Sequence, residues 1–184
     1  MKLSLLYLQA TGNVVAACTR ASASPGGNDL AMLVGAGVPV YTSPRKPEPT
    51  VVVLQSELKL VDLDADASSG DVLAAPLEYV VDPAKPTAVT SASAVVTFVS
   101  LKASTATLTF TVTAATQDRM AVAYVQGIDL PQQQFGPVLT SILAGQTSVP
   151  VTIGTTPTPT VGDTYAVVVF VPGCQTLATS TTAT

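Results

Sequence analysis

Among the 184 residues there is neither a histidine nor a tryptophan. Without histidine the chain lacks the side chain that most often serves as general base near neutral pH, as pH sensor and as metal ligand. Most hydrolytic mechanisms fall away with it. Charge is also scarce: Asp, Glu, Lys and Arg make up 11% of the residues, where a soluble domain ordinarily carries about 25%. The eight Lys and Arg are scattered from Lys2 to Arg119 and the net charge is −4, so no basic stripe forms that could neutralise a run of phosphates, and nucleic acid is not an expected partner. No apolar run is long enough to span a membrane as a helix, although mean hydropathy is +0.47. So greasy and uncharged a chain is expected to hide much of its outside against other protein.

Cysteine is nearly absent too. Cys18 and Cys174 stand near opposite ends of the sequence and match neither a CxxC redox pair nor a zinc knuckle. Two small buried or half-buried thiols are the expectation. A disulfide between them is the alternative and requires Cα atoms about 5.5 Å apart. The start of the chain has the look of a lipoprotein signal, with Lys2, an apolar stretch and Val15-Ala16-Ala17 before Cys18. A signal core, however, is a continuous apolar run of about 7 to 15 residues, and Gln9, Thr11, Gly12 and Asn13 interrupt this one. The segment reads instead as strand, turn, strand. With neither signal nor spanning helix, a particle assembled in the cytoplasm is the expected location, and the extracellular or cell-surface space the alternative.

What remains is Val, Ala, Leu and Thr, cut by 14 Pro and 12 Gly into short runs. Such runs suit many brief strands, and an all-β fold is expected. The pattern is clearest in the second half. From Thr105 to Thr113 every odd position is Thr, while Ala106, Leu108, Phe110 and Val112 fill the even ones, which is a half-buried strand with its apolar side inward. Around it, Val95–Leu101, Met120–Gln126, Val138–Leu143, Ser148–Ile153, Tyr165–Val171 and Gln175–Thr182 also read as strands, and seven at regular spacing indicate a sandwich. Tyr165–Val171 is apolar at every position, as a strand covered on both faces would be. The last nine residues, Thr176–Thr184, have the composition of a linker.

Gly162-Asp163-Thr164-Tyr165 opens the penultimate strand with a tyrosine after a polar turn. This resembles the tyrosine corner of immunoglobulin-like and fibronectin type III-like domains, in which the hydroxyl bonds to backbone upstream. The resemblance spans residues 88–184 and implies architecture alone. The chain departs from the antibody type, having no tryptophan and Val167 in place of a cysteine two residues after Tyr165.

Asp82-Pro83-Ala84-Lys85-Pro86-Thr87 divides stretches of different character, so the chain is expected to comprise a smaller N-terminal β domain (1–82), a proline-containing linker (83–87) and an immunoglobulin-like β-sandwich (88–184). In the first half, Leu3–Leu8 and Val14–Arg20 form the expected hairpin. Val38–Thr42, Thr50–Leu54, Glu57–Leu63 and Val72–Val81 look extended, and Leu30–Val34 reads as a single helical turn.

Candidate sites are few. Asp62, Asp64 and Asp66 alternate as calcium ligands would, but Ala67 takes the glycine position of an EF-hand loop and Leu73 the place of its bidentate glutamate. A solvated turn is the expectation and a calcium site the alternative. Gly35-Ala36-Gly37 lacks the third glycine and the βαβ setting of a dinucleotide loop. No Ser or Thr has a histidine partner, and Lys59, Lys85 and Lys102 read as exposed, so no catalytic residue, cofactor or metal is expected. Gln132, Gln133, Gln134 and Phe135 combine amides with one aromatic and form the candidate contact loop. The expected function is that of a non-enzymatic structural subunit in a large assembly: a phage-like particle, a contractile injection-type machine, or a viral decoration or fibre component. Its partners would be copies of itself and neighbouring subunits. A secreted or surface-held adhesion or ligand-binding module is the alternative.

Overall fold

The computed structural model describes residues 1–21, 29–42, 50–66, 68–128, 133–154 and 158–184. The fold is all-β, with two short α-helices among the described residues, as the broken apolar runs predict. Strands β1 (Lys2–Leu8) and β2 (Val14–Arg20) form the expected hairpin, and β5 (Leu58–Asp64) pairs on the far side of β1 to give an antiparallel sheet ordered β2-β1-β5. Between β2 and β5, helix α1 (Asp29–Val34) precedes a two-stranded hairpin of β3 (Gly37–Tyr41) and β4 (Thr50–Leu54).

The stretch expected as one strand over Val72–Val81 is instead helix α2 (Ser69–Ala74), a 3₁₀ turn (Pro76–Glu78) and the short strand β6 (Tyr79–Val81). The reason is local. The Asp66 carboxylate accepts from the Ser68 amide and from the Ser68 and Ser69 hydroxyls, at 3.0, 2.7 and 3.2 Å. These bonds hold the Asp66 carboxyl below its ordinary pKa and fold the backbone into the turn that starts the helix. Pro76 then disfavours helical backbone at Ala75 and ends it. Val72, apolar and fully buried, faces inward from the helix.

Residues 83–87, expected as an interdomain linker, join β6 to β7 (Val89–Ser91), and these two strands pair with each other. The second half continues with β8 (Ala94–Val95), β9 (Thr97–Lys102), β10 (Thr107–Thr111), β11 (Arg119–Gly127), β12 (Gln134–Ile142), β13 (Ser148–Thr152), β14 (Thr164–Phe170), β15 (Cys174–Gln175) and β16 (Leu177–Thr182). Strands β9–β14 and β16 build a three-stranded sheet ordered β13-β10-β9 and a four-stranded sheet ordered β12-β11-β14-β16, while β8 and β15 pair with each other in parallel. The alternating Thr strand is shorter than expected, because Thr105 lies in a turn and Ala106 takes a φ of +46°. Its polarity is as expected: Ala106, Leu108, Phe110 and Val112 are buried. The threonine tail is a strand, and beyond it the Thr184 amide bonds to the Leu101 carbonyl while the Thr184 carbonyl accepts from the Ala103 amide.

The alternation along β11 and β14 gives the four-stranded sheet two apolar faces. Ala121, Ala123, Val125, Tyr165, Val167 and Val169 point into the sandwich core shared with β10 and β13. Val122, Tyr124, Ala166, Val168 and Phe170 point the other way, into a second core with Leu8, Val15, Val40, Val51, Val53 and Leu58 of the first half. A third cluster, built on Leu3, Leu5 and Tyr7, lies under Val72 and Val81. β14 is therefore buried along Tyr165–Phe170, as its uninterrupted apolar sequence predicts.

Candidate functional site: two grooves and the residues around them

The outer face of the four-stranded sheet is only partly covered. Over β11 and β14 it lies under the first half of the chain, but among the described residues the covering stops at the β12 edge. There Val122 faces Leu139 and Met120 faces Ser141 across the β11–β12 ladder, and Leu139 and Met120 are 57% and 44% exposed. Where the N-terminal hairpin meets this edge, Leu8, Ala10, Val122, Pro137 and Leu139 line a groove of about 350 Å³ that also contains Gln9 and Glu57. Glu57 ends the 3₁₀ turn Gln55–Glu57 ahead of β5, and its carbonyl accepts from the Gln9 amide at 2.9 Å. Its carboxylate accepts a hydrogen bond from the Tyr124 hydroxyl. Tyr124 is fully buried, and desolvation first, then the adjoining carboxylate, pushes its phenol far above the usual range. The phenol thus stays a donor at any physiological pH and holds the Glu57 carboxylate in place.

A second groove, of about 550 Å³, runs between the β3–β4 hairpin and the 3₁₀ turn at Pro76, with Val40, Tyr41, Leu77 and Ala178 among its walls. Tyr41 is 61% exposed at its rim.

The candidate contact loop does not present its side chains as expected. Gln132 lies outside the described residues. Phe135 is buried in the sandwich core, its ring tilted against Tyr165 at 6.4 Å. Gln133 accepts from the Tyr165 hydroxyl at 2.9 Å, and that same oxygen accepts from the Thr160 amide at 2.8 Å. Of the four, Gln134 is exposed, paired in β12 against Gln126. Apolar burial explains the difference: Phe135 lies opposite Val125 and on its face of the sheet, which points into the core. Replacing Tyr165 with Phe is expected to cost about 1 to 2 kcal/mol in urea unfolding, because the buried ring remains while the Thr160 amide and the Gln133 amide oxygen lose their partner.

The three aspartates are not brought to one point. Asp62 pairs with Arg20 at 2.8 Å and accepts from the Ser4 hydroxyl at 2.6 Å. Asp64 pairs with Lys2 at 2.6 Å, whose hydrogen bond and charge hold its carboxyl below the ordinary range. Asp66 caps the turn into α2. Asp62 and Asp64 go to separate partners because β5 lies antiparallel to β1, which sets Lys2 opposite Asp64 and Ser4 opposite Asp62, while Asp66, beyond the strand, is taken up by Ser68 and Ser69. Among the described residues no group of three potential ligands converges on a metal position.

Cys18 is half-buried, Cys174 is buried, and the two are free thiols, not a disulfide. Burial raises the Cys174 pKa, against the opposing charge of Arg119, whose guanidinium lies 3.7 Å from the sulfur. Lys59, Lys85 and Lys102 are exposed. No helix among the described residues is long and apolar enough to cross a membrane. Sequence reasoning missed Glu57 and Tyr124: they are 67 residues apart, and neither belongs to a motif.

Comparison with known proteins finds no matching family model, no matching curated protein and no matching solved structure.

Proposed function

We propose that this chain is a structural subunit of a large protein assembly, working through contacts with copies of itself or with neighbouring subunits. A phage-like particle, a contractile injection-type machine, or a viral decoration or fibre is the setting that fits it best. The observation that carries this reading is the uncovered outer face of the four-stranded sheet at β12, where Met120, Leu139 and the groove beside them leave apolar surface in water on a chain with few charges. Isolated exposed apolar residues are ordinary, but a contiguous patch is a mark of a contact surface. Burying it against a neighbour gains about 25 cal/mol for each Å² of apolar surface.

Within this reading residues 88–184 are an immunoglobulin-like or fibronectin type III-like sandwich. Support comes from the division of seven strands into sheets of three and four, and from the Tyr165 hydroxyl accepting from backbone five residues upstream. The adhesion-module alternative has less to rest on, since Phe135 is packed inward and Gln133 is engaged by Tyr165.

Light scattering across a dilution series tests the assembly reading. The expected mass at high concentration is a multiple of the 18.7 kDa chain mass, falling toward it on dilution. A chain that stays at its monomer mass up to millimolar concentration, alone and with its genomic neighbours' products, overturns the reading.

A further inference from the structure

The geometry points to the groove between the N-terminal hairpin and the β12 edge as a binding site for an aliphatic chain ending in a cation, the chemistry of a lysine side chain presented by a partner. This deepens the assembly reading, because it names what a neighbour would offer at the uncovered face; the groove and its carboxylate stand without that reading.

Three observations combine. Apart from Gln9 and Glu57 the lining residues, Leu8, Ala10, Val122, Pro137 and Leu139, are apolar and suit methylene groups. At about 350 Å³ the space falls within the range of small-ligand sites. One carboxylate, Glu57, belongs to the same lining. Among the described residues its side-chain partner is the Tyr124 hydroxyl, a neutral donor. The ion pairs among the described residues, Lys2 with Asp64 and Arg20 with Asp62, lie elsewhere.

A carboxylate held by a buried phenol at an apolar wall has its position fixed, and among the described residues no cation pairs with it. An anion is repelled there, and a neutral alkyl chain leaves the carboxylate without a charged partner. An alkylammonium satisfies both parts: its stem covers the apolar walls while the ammonium donates to the free acceptor sites of Glu57. The Tyr124 bond fixes the carboxylate before a ligand arrives, which reduces what ordering would otherwise cost on binding.

The probe is hexylammonium, added to the full chain at a concentration where light scattering gives the monomer mass, and followed by amide and methyl chemical shifts. Expected are saturable shifts at Leu8, Ala10, Val122 and Leu139. Hexanol, with the chain and no charge, and methylammonium, with the charge and no chain, should each bind at least roughly tenfold more weakly, as expected for loss of a charge-assisted hydrogen bond or of the buried methylenes. Glu57→Gln keeps an acceptor for Tyr124 and should fold while losing about tenfold or more in hexylammonium affinity. Leu139→Ser, at an exposed position, should weaken binding without changing the fold. Absence of saturable shifts at these residues, hexanol binding as well as hexylammonium, or unchanged affinity in Glu57→Gln would each overturn the proposal. None of these results bears on whether the chain associates, which light scattering decides separately.

Discussion

Replacing Phe170 with alanine is expected to remove about 4 kcal/mol of stability and to leave the two halves of the chain unfolding together. Phe170 lies on the outer face of β14 and is fully buried. Its ring meets Tyr124 edge to face, at 6.0 Å and 89°, a geometry worth roughly 1 kcal/mol beyond the buried area. The remaining contacts come from the second core, which joins β11 and β14 to Leu8, Val15, Val40, Val51, Val53 and Leu58. A truncation here therefore weakens the joint between the halves and the sheet itself at once. Urea unfolding should be followed by far-ultraviolet dichroism and by tyrosine fluorescence, the chain having no tryptophan. A single transition with a lowered midpoint and an unchanged slope is the expected result. Two separated transitions, or a loss below about 1 kcal/mol, would mean that the second core does not couple the halves.

The other large effect is expected at Gly12. This residue turns the β1–β2 hairpin with a φ of +77°. In the same position its carbonyl accepts from the Val81 amide at 2.8 Å. A Cβ placed on Gly12 would overlap the Val81 carbonyl oxygen and come within 3.0 Å of the Pro83 ring. Gly12→Ala thus combines a backbone conformation that L side chains rarely adopt with a collision against backbone that cannot swing aside, and a loss of about 3 kcal/mol or more is expected. Gly35 supplies the control. Its φ is +56° and a Cβ there meets nothing within 4 Å, so Gly35→Ala should cost only about 1 kcal/mol, the conformational part alone. Equal losses at the two positions in denaturant titrations would show that close approach to β6 is not what Gly12 serves.

These two sites mark how far the residues could be read in order. Gly12 was legible as a turn residue, because a polar stretch with glycine between two apolar runs is a hairpin signal; that the turn also presses on Val81, 69 positions away, was not. Asn13 shows the same limit. Its place beside the turn accounts for a polar residue, yet it is fully buried, with its side-chain amide donating to the Cys174 carbonyl at 2.8 Å. Phe135 went astray because a Gln-rich stretch between prolines reads as a loop. The ladder with Val125 instead sets it on the inward face.

The groove at Glu57 escaped for a related reason. Its carboxylate, the Tyr124 phenol and the apolar walls come from the N-terminal hairpin, a 3₁₀ turn, β11 and β12, and no spacing links them. Asp62, Asp64 and Asp66 show the converse: they share a spacing, but separate partners divide them.

The order of apolar and polar residues was enough to decide that the chain is built of strands, where most of them lie, and that β14 is covered on both sides, because a period of two and its loss are written residue by residue. It also showed the shortage of charge, 11% of the residues. Only the folded arrangement decided what covers the second face of β14, where that cover ends at β12, and which carboxylate stands beside the gap. Those facts depend on contacts between residues far apart in sequence, whose pairing no local pattern encodes.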